Sequence, residues 1–143
     1  MDNASRFMKN AIPNMSLPVA SSGRLKVLVV DDHTYFRESL VSFLGEFPSI
    51  ETVGTAGDGE EAVRMVKRFR PQLVIMDIQM PLMDGLQACE EIKKDSPGTR
   101  VVLYTMHSPE AYDDAALKRA DSCVPKDRLF DELPGIVEKE ATE

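Results

Sequence analysis

The chain has 143 residues, of which 43% are hydrophobic and 29% charged, and its formal net charge is −7. Such a length suits one domain of roughly 100–200 residues with a tail, and the composition excludes a wholly disordered chain, a collagen-like fibre and a disulfide scaffold. No run approaches the ~18 apolar residues that argue a membrane span, and an acidic surface repels a phosphate backbone, so neither a membrane nor a nucleic acid is expected as a direct partner.

Residues 1–23, with Pro13 and Pro18 and no clear period, read as a mobile leader. LKVLVV (25–30) is a continuous β-branched apolar run, which suits a strand buried on both faces. Phe36, Leu40, Phe43 and Leu44 share one helical face, and ETVGTA (51–56) reads as a second, weaker strand. Asp58 and Glu61 form a D-x-x-E cap signal before the stripe Ala62, Val63, Val66 and Phe69, and Pro71 stops that helix.

QLVIMD (72–77) is the third strand, and Asp84 is placed to cap a helix carrying Leu86, Cys89 and Ile92. RVVLYT (100–105) is the fourth strand, after a Pro97-Gly98 turn. Ser108-Pro109-Glu110 reads as an N-cap with proline at the first helical position, and Ala111, Ala115 and Leu117 continue that helix. DSCVP (121–125) is a short fifth strand. Asp127 is placed to cap a last helix, in which Pro134 predicts a kink. Five alternating βα units predict an α/β domain over 24–140, with a parallel sheet covered by helices on both faces. No output domain is expected within the chain.

In open α/β sheets, ligands bind beyond the carboxyl ends of the strands. Those ends carry Asp31-Asp32, Asp77 and Thr105, with Lys126 after the fifth strand. Carboxylates converging in one cleft repel each other unless a counter-charge joins them. Hard oxygen donors suit Mg²⁺, with Mn²⁺ as the alternative. Such a site, with Lys126 as a second positive charge, can accept a phosphoryl group through in-line attack by a carboxylate. Gln79 and His107, two residues beyond Asp77 and Thr105, are expected to flank the path of a water attacking an aspartyl-phosphate. An amide there orients the water, and an imidazole accepts a hydrogen bond when neutral and repels when protonated.

The segments VLVVDDH (27–33) and VIMDIQMPLMDG (74–85), the latter with the pattern D-x-x-M-P-x-x-D-G, together with Thr105 and Lys126, resemble the receiver domain of two-component response regulators. The resemblance spans 25 to about 139. Through DDHTYFRESL (31–40) and VPK (124–126) the sequence is similar to receivers found with helix-turn-helix output domains. It implies a flavodoxin-like, doubly wound five-stranded sheet of order 2-1-3-4-5 with five helices. It implies Asp77 as phosphoacceptor, and Mg²⁺ held directly by Asp32 and Asp77, through water by Asp31, and by the backbone carbonyl of Gln79. Thr105 becomes the switch hydroxyl and Lys126 the phosphoryl-pairing lysine. The implied phosphodonor is a phosphohistidine on a sensor histidine kinase or phosphotransfer protein, with homodimerisation on phosphorylation and an output in transcription regulation.

The chain departs from the family pattern at Cys123, where an aromatic switch residue is common. The switch response is therefore expected in the loop after Thr105 and in the fourth helix. Two other functions compete. A metal-dependent phosphohydrolase acting through an aspartyl-phosphate wants D-x-D after the first strand, where this chain has Asp31-Asp32-His33. A pseudo-receiver that binds partners without phosphorylation has no use for the complete acidic set. Cys89 and Cys123 lack metal-ligand spacing, and with no secretory apolar region at the N-terminus the expected compartment is the cytoplasm.

Overall fold

Strands and helices alternate from the first described strand to the last helix, as the apolar periodicity predicts. The computed structural model describes residues 23–142, so the predicted leader lies, but for Gly23, outside the described residues. The elements are β1 (Leu25–Val30), α1 (Thr34–Leu44), β2 (Ile50–Ala56), α2 (Gly59–Phe69), β3 (Leu73–Asp77), α3 (Gly85–Asp95), β4 (Arg100–Thr105), α4 (Asp114–Leu117), β5 (Ser122–Pro125) and α5 (Leu129–Thr142). The five strands are parallel, in the order β2-β1-β3-β4-β5.

The sheet divides two apolar layers. On one side Val27, Val29, Ile75 and Tyr104 pack with Leu40 and Leu44 of α1 and Leu129, Leu133 and Val137 of α5. On the other side Leu28, Val30, Val74, Met76 and Leu103 pack with Ala62 and Val66 of α2 and Ala88, Cys89 and Ile92 of α3. Burying each large aliphatic side chain stabilises the fold by ~1.5–3 kcal/mol, so strands packed on both faces make the rigid centre. Every residue of β3 is buried, which explains why it carries no polar alternation before Asp77.

The capping signals are realised with one adjustment. The Asp58 carboxylate accepts from the Glu61 N–H (2.8 Å), but the Glu61 side chain returns to the Gly57 N–H (2.9 Å), one residue before the cap. Asp84 and Gln87 form a reciprocal capping box on α3. Arg70, in the left-handed region at φ 49°, ends α2 before Pro71.

Two expectations fail. The fourth helix does not begin at Ser108. A 3₁₀ turn spans Pro109–Ala111, and α4 is only four residues long and buries none of them. Asp113 and Asp114 fall in the middle of the expected helix, and aspartate favours caps and turns over helix interiors. Asp113 is extended and serves as N-cap position, so the helix restarts after it. Nor does Asp127 cap the last helix. It lies in a 3₁₀ turn over Lys126–Arg128, and α5 then runs through Pro134 as one helix. Pro134 is the sixth residue of α5, and its missing N–H removes the single bond to the Phe130 carbonyl.

Candidate functional site

β1, β3, β4 and β5 end along one edge of the sheet, and each delivers a polar group there. Asp31 follows β1 and is fully buried; Asp77 ends β3 and Thr105 ends β4, both buried. Lys126 follows β5 with a side chain only 12% exposed. Its Nζ stands 3.6 Å from Asp31 Oδ2 and 3.9 Å from Asp77 Oδ2, and 4.2 Å from the centre of the Phe36 ring. Asp32 sits at the solvent side of the same cluster, its side chain 30% exposed.

The loop after β3 is shaped by the D-x-x-M-P-x-x-D-G segment. The Gly85 N–H donates to the Ile78 carbonyl (2.7 Å), and a Cβ at Gly85 would lie 2.3 Å from the Asp77 carbonyl oxygen. Only glycine allows α3 to start this close to the strand end, which explains the D-G pair. The Gln79 N–H donates to Asp77 Oδ1 (3.2 Å), and the Gln79 residue is exposed.

Burial is the largest influence on the Asp77 carboxyl, followed by repulsion from Asp31. These outweigh the Gln79 hydrogen bond and the Lys126 charge, and hold Asp77 at about 6 against an ordinary 3.8. Donor atoms of Asp31, Asp32, His33 and Asp77 all lie within 4.8 Å of one another. Two buried carboxylates and a third at the rim, faced by one lysine, are short of positive charge, and their hard oxygens match a divalent cation of the Mg²⁺ class. The donor set therefore fits the metal that the sequence implies.

The sequence reading missed several members of the site. The His33 imidazole lies 3.2 Å from both Asp31 Oδ1 and Asp32 Oδ1, and the His33 N–H donates to Asp31 Oδ1 (2.8 Å). The Arg37 guanidinium donates to the Asp31 carbonyl (2.6 Å). The Tyr104 hydroxyl donates to Asp31 Oδ2 (2.6 Å), and burial together with the Asp31 charge pushes the phenol far above its ordinary range. Tyr112 shares a hydrogen bond with Thr105 Oγ1 (3.0 Å), which also accepts from the His107 N–H (3.0 Å). The signal for Tyr104 was a phenol in an otherwise aliphatic buried strand, because such a hydroxyl needs a partner.

His107 is exposed and lines an open cavity of about 650 Å³ together with Met106, Lys126 and Arg128. Among the described contacts its side chain meets none of the three carboxylates. Cys123 is half-buried and packs in the α2–α3 layer alongside Tyr112 and Leu117, and burial pushes its thiol up.

A family model for the response regulator receiver domain matches residues 27–138. The chain belongs to the response regulator receiver family. This receiver is 31% identical over 102 residues to the transcriptional regulatory protein DegU of Brevibacillus brevis, covering 71% of the chain and 43% of the relative. It is 38% identical over 122 residues to a protein-glutamate methylesterase/protein-glutamine glutaminase of Alkalilimnicola ehrlichii, covering 81% of the chain and 30% of the relative. The matched segment thus spans less than half the length of these relatives. Among solved structures, the response regulator TrrA of Thermotoga maritima, in complex with Mg²⁺ and BeF, superposes with a TM-score of 0.71 at 37% identity, covering 80% of this chain and 97% of that one. No helix among the described residues is long and apolar enough to cross a membrane.

Proposed function

We propose that residues 24–140 act as a cytoplasmic phosphoacceptor switch, with Asp77 taking a phosphoryl group from a phosphohistidine on a sensor histidine kinase or phosphotransfer protein. The observation that carries this reading is Lys126 Nζ standing between Asp31 and Asp77, 3.6 and 3.9 Å away, with the Thr105 hydroxyl on the adjoining strand end. An Asp77 oxygen attacks phosphorus in line, the P–O bond forms, and the P–N bond breaks with its electron pair leaving on the donor imidazole. Asp31, Asp32, Asp77 and the Gln79 carbonyl are the proposed holders of Mg²⁺ or Mn²⁺. When bound, the ion neutralises charge on the phosphoryl oxygens. Lys126 pairs with one equatorial oxygen and Thr105 turns to donate to another. For Thr105 this means leaving Tyr112, and the loop to α4 is the part that moves.

Gln79 and His107 are proposed to set the lifetime of the aspartyl-phosphate, Gln79 by orienting the attacking water and His107 by obstructing its path from the cavity rim. The signalling consequence is a changed partner face, with homodimerisation and transcriptional output as the finer reading. DegU supports that output by its name, although a methylesterase relative carries a similar segment.

Incubation with acetyl phosphate tests the reading by intact mass. One phosphoryl group per chain is expected with Mg²⁺, none with a chelator, and none in Asp77→Asn. Release of many phosphates per chain from a phosphomonoester would instead establish the phosphohydrolase reading.

A further inference from the structure

Tyr104 occupies a strand whose other members before Thr105 are Arg100, Val101, Val102 and Leu103. It is fully buried, its ring centre is 5.6 Å from that of Phe36, and its hydroxyl lies 2.6 Å from Asp31 Oδ2. The same oxygen faces Lys126 Nζ at 3.6 Å. One carboxylate oxygen therefore has two candidate donors, and the phenol holds it. A charge-assisted N–H···O bond closes to ~2.7–2.9 Å. At 3.6 and 3.9 Å, Lys126 forms ion pairs with Asp31 and Asp77 but is within hydrogen-bond distance of neither.

We propose that Tyr104 is a positioning residue: its hydroxyl satisfies Asp31 Oδ2 and so keeps the Lys126 ammonium uncommitted between the two carboxylates. This rests on the phosphoacceptor reading.

Without the hydroxyl, Asp31 Oδ1 keeps the His33 N–H, but Oδ2 loses its 2.6 Å bond, the one short bond to it among the described residues. A buried carboxylate oxygen without a donor is costly, and the nearest donor is Lys126. The ammonium sits on the Phe36 face at 4.2 Å and has to move about 1 Å to close the bond. Once there, it would neutralise the Asp31 charge that a divalent ion needs, and it is withdrawn from Asp77. The phenol thus acts as a neutral substitute for a lysine contact, saturating the oxygen without adding a positive charge.

The test is a MgCl₂ titration of the full chain followed by amide NMR, on the parent, Tyr104→Phe, Lys126→Met and the double variant. Phenylalanine keeps the ring and its contact with Phe36. Tyr104→Phe is expected to weaken Mg²⁺ binding on the order of threefold to tenfold, and to slow phosphoryl uptake from acetyl phosphate at saturating Mg²⁺. In the Lys126→Met background the same change is expected to alter Mg²⁺ binding less than about twofold, because no ammonium remains to be captured.

Equal weakening in both backgrounds, or none in either, overturns the proposal. A parent that shows no Mg²⁺ binding rejects the phosphoacceptor reading itself, and so the two failures are distinct. The hydroxyl proton gives a readout that needs no variant. Buried and bonded to Asp31, it is expected as a slowly exchanging resonance that persists when Mg²⁺ binds, and exchange at the free-phenol rate overturns the assignment.

Discussion

Replacing Asp77 by asparagine removes a buried charge while keeping the acceptor that the Gln79 N–H uses. Holding this carboxyl at about 6 instead of 3.8 corresponds to roughly 3 kcal/mol at ~1.36 kcal/mol per pH unit. Solvent at the open side screens part of it, leaving roughly 1–2 kcal/mol. The sign is set by the raised value. The folded state keeps its proton to higher pH than the unfolded state, so the contribution to stability is full below 3.8 and is lost as pH rises through about 6. The parent therefore carries a penalty above that range that the variant lacks. In chelator, the Tm of Asp77→Asn minus that of the parent is expected to be small near pH 4 and to plateau at roughly 3–8 °C above about pH 6.5. A difference that stays flat across this window would refute the claim that Asp77 is desolvated beside Asp31.

Millimolar Mg²⁺ is expected to raise the Tm of the parent, as any ligand bound only by the native state does. Asp32→Ala should lose most of that gain and melt no lower than the parent in chelator; a full Mg²⁺ response in the variant would exclude Asp32 from the metal site. Tyr112→Phe removes the hydroxyl that shares Thr105 Oγ1 at 3.0 Å. One net hydrogen bond is worth ~0.5–1.5 kcal/mol, so beryllofluoride binding with Mg²⁺ should tighten roughly twofold to tenfold, and unchanged binding in a calorimetric titration would show that this bond does not restrain Thr105. Gly85→Ala places a Cβ 2.3 Å from the Asp77 carbonyl oxygen, which is backbone and cannot swing aside. A loss of roughly 1–3 kcal/mol in urea unfolding is expected, with weaker Mg²⁺ binding from the displaced strand end.

The strands were legible because those at the centre of a parallel sheet are apolar on both faces, and LKVLVV and QLVIMD leave no other place for themselves. The strand-end residues follow from that alignment, which is why Asp31, Asp77, Thr105 and Lys126 are legible as one group in the sequence. What stayed hidden depends on directions across the sheet. Tyr104 and Asp31 are 73 residues apart, and their bond exists because a single strand, β3, lies between β1 and β4 while the phenol points to the α1 side. The fourth helix departs from its sequence pattern for a local reason. Ser108 and Pro109 carry a start signal, and the Ser108 hydroxyl meets the Glu110 carboxylate, but the extended Asp113 interrupts the helix one turn later and α4 starts at Asp114.

The brevity of α4 has a consequence for how tightly this edge of the molecule can be gripped. A four-residue helix with no buried side chain has little to hold its amides against exchange, so it is expected to open at loop-like free energies, whereas the buried β1 and β3 are expected to exchange only on global unfolding. A surface that docks there has to order backbone at a cost of ~1–2 kcal/mol per residue. Complexes formed through α4 should therefore be short-lived, with affinity that rises when the segment is stiffened. An alanine-rich replacement of Asp113 and Asp114 would lengthen the residence time of such a partner without adding a single contact to it.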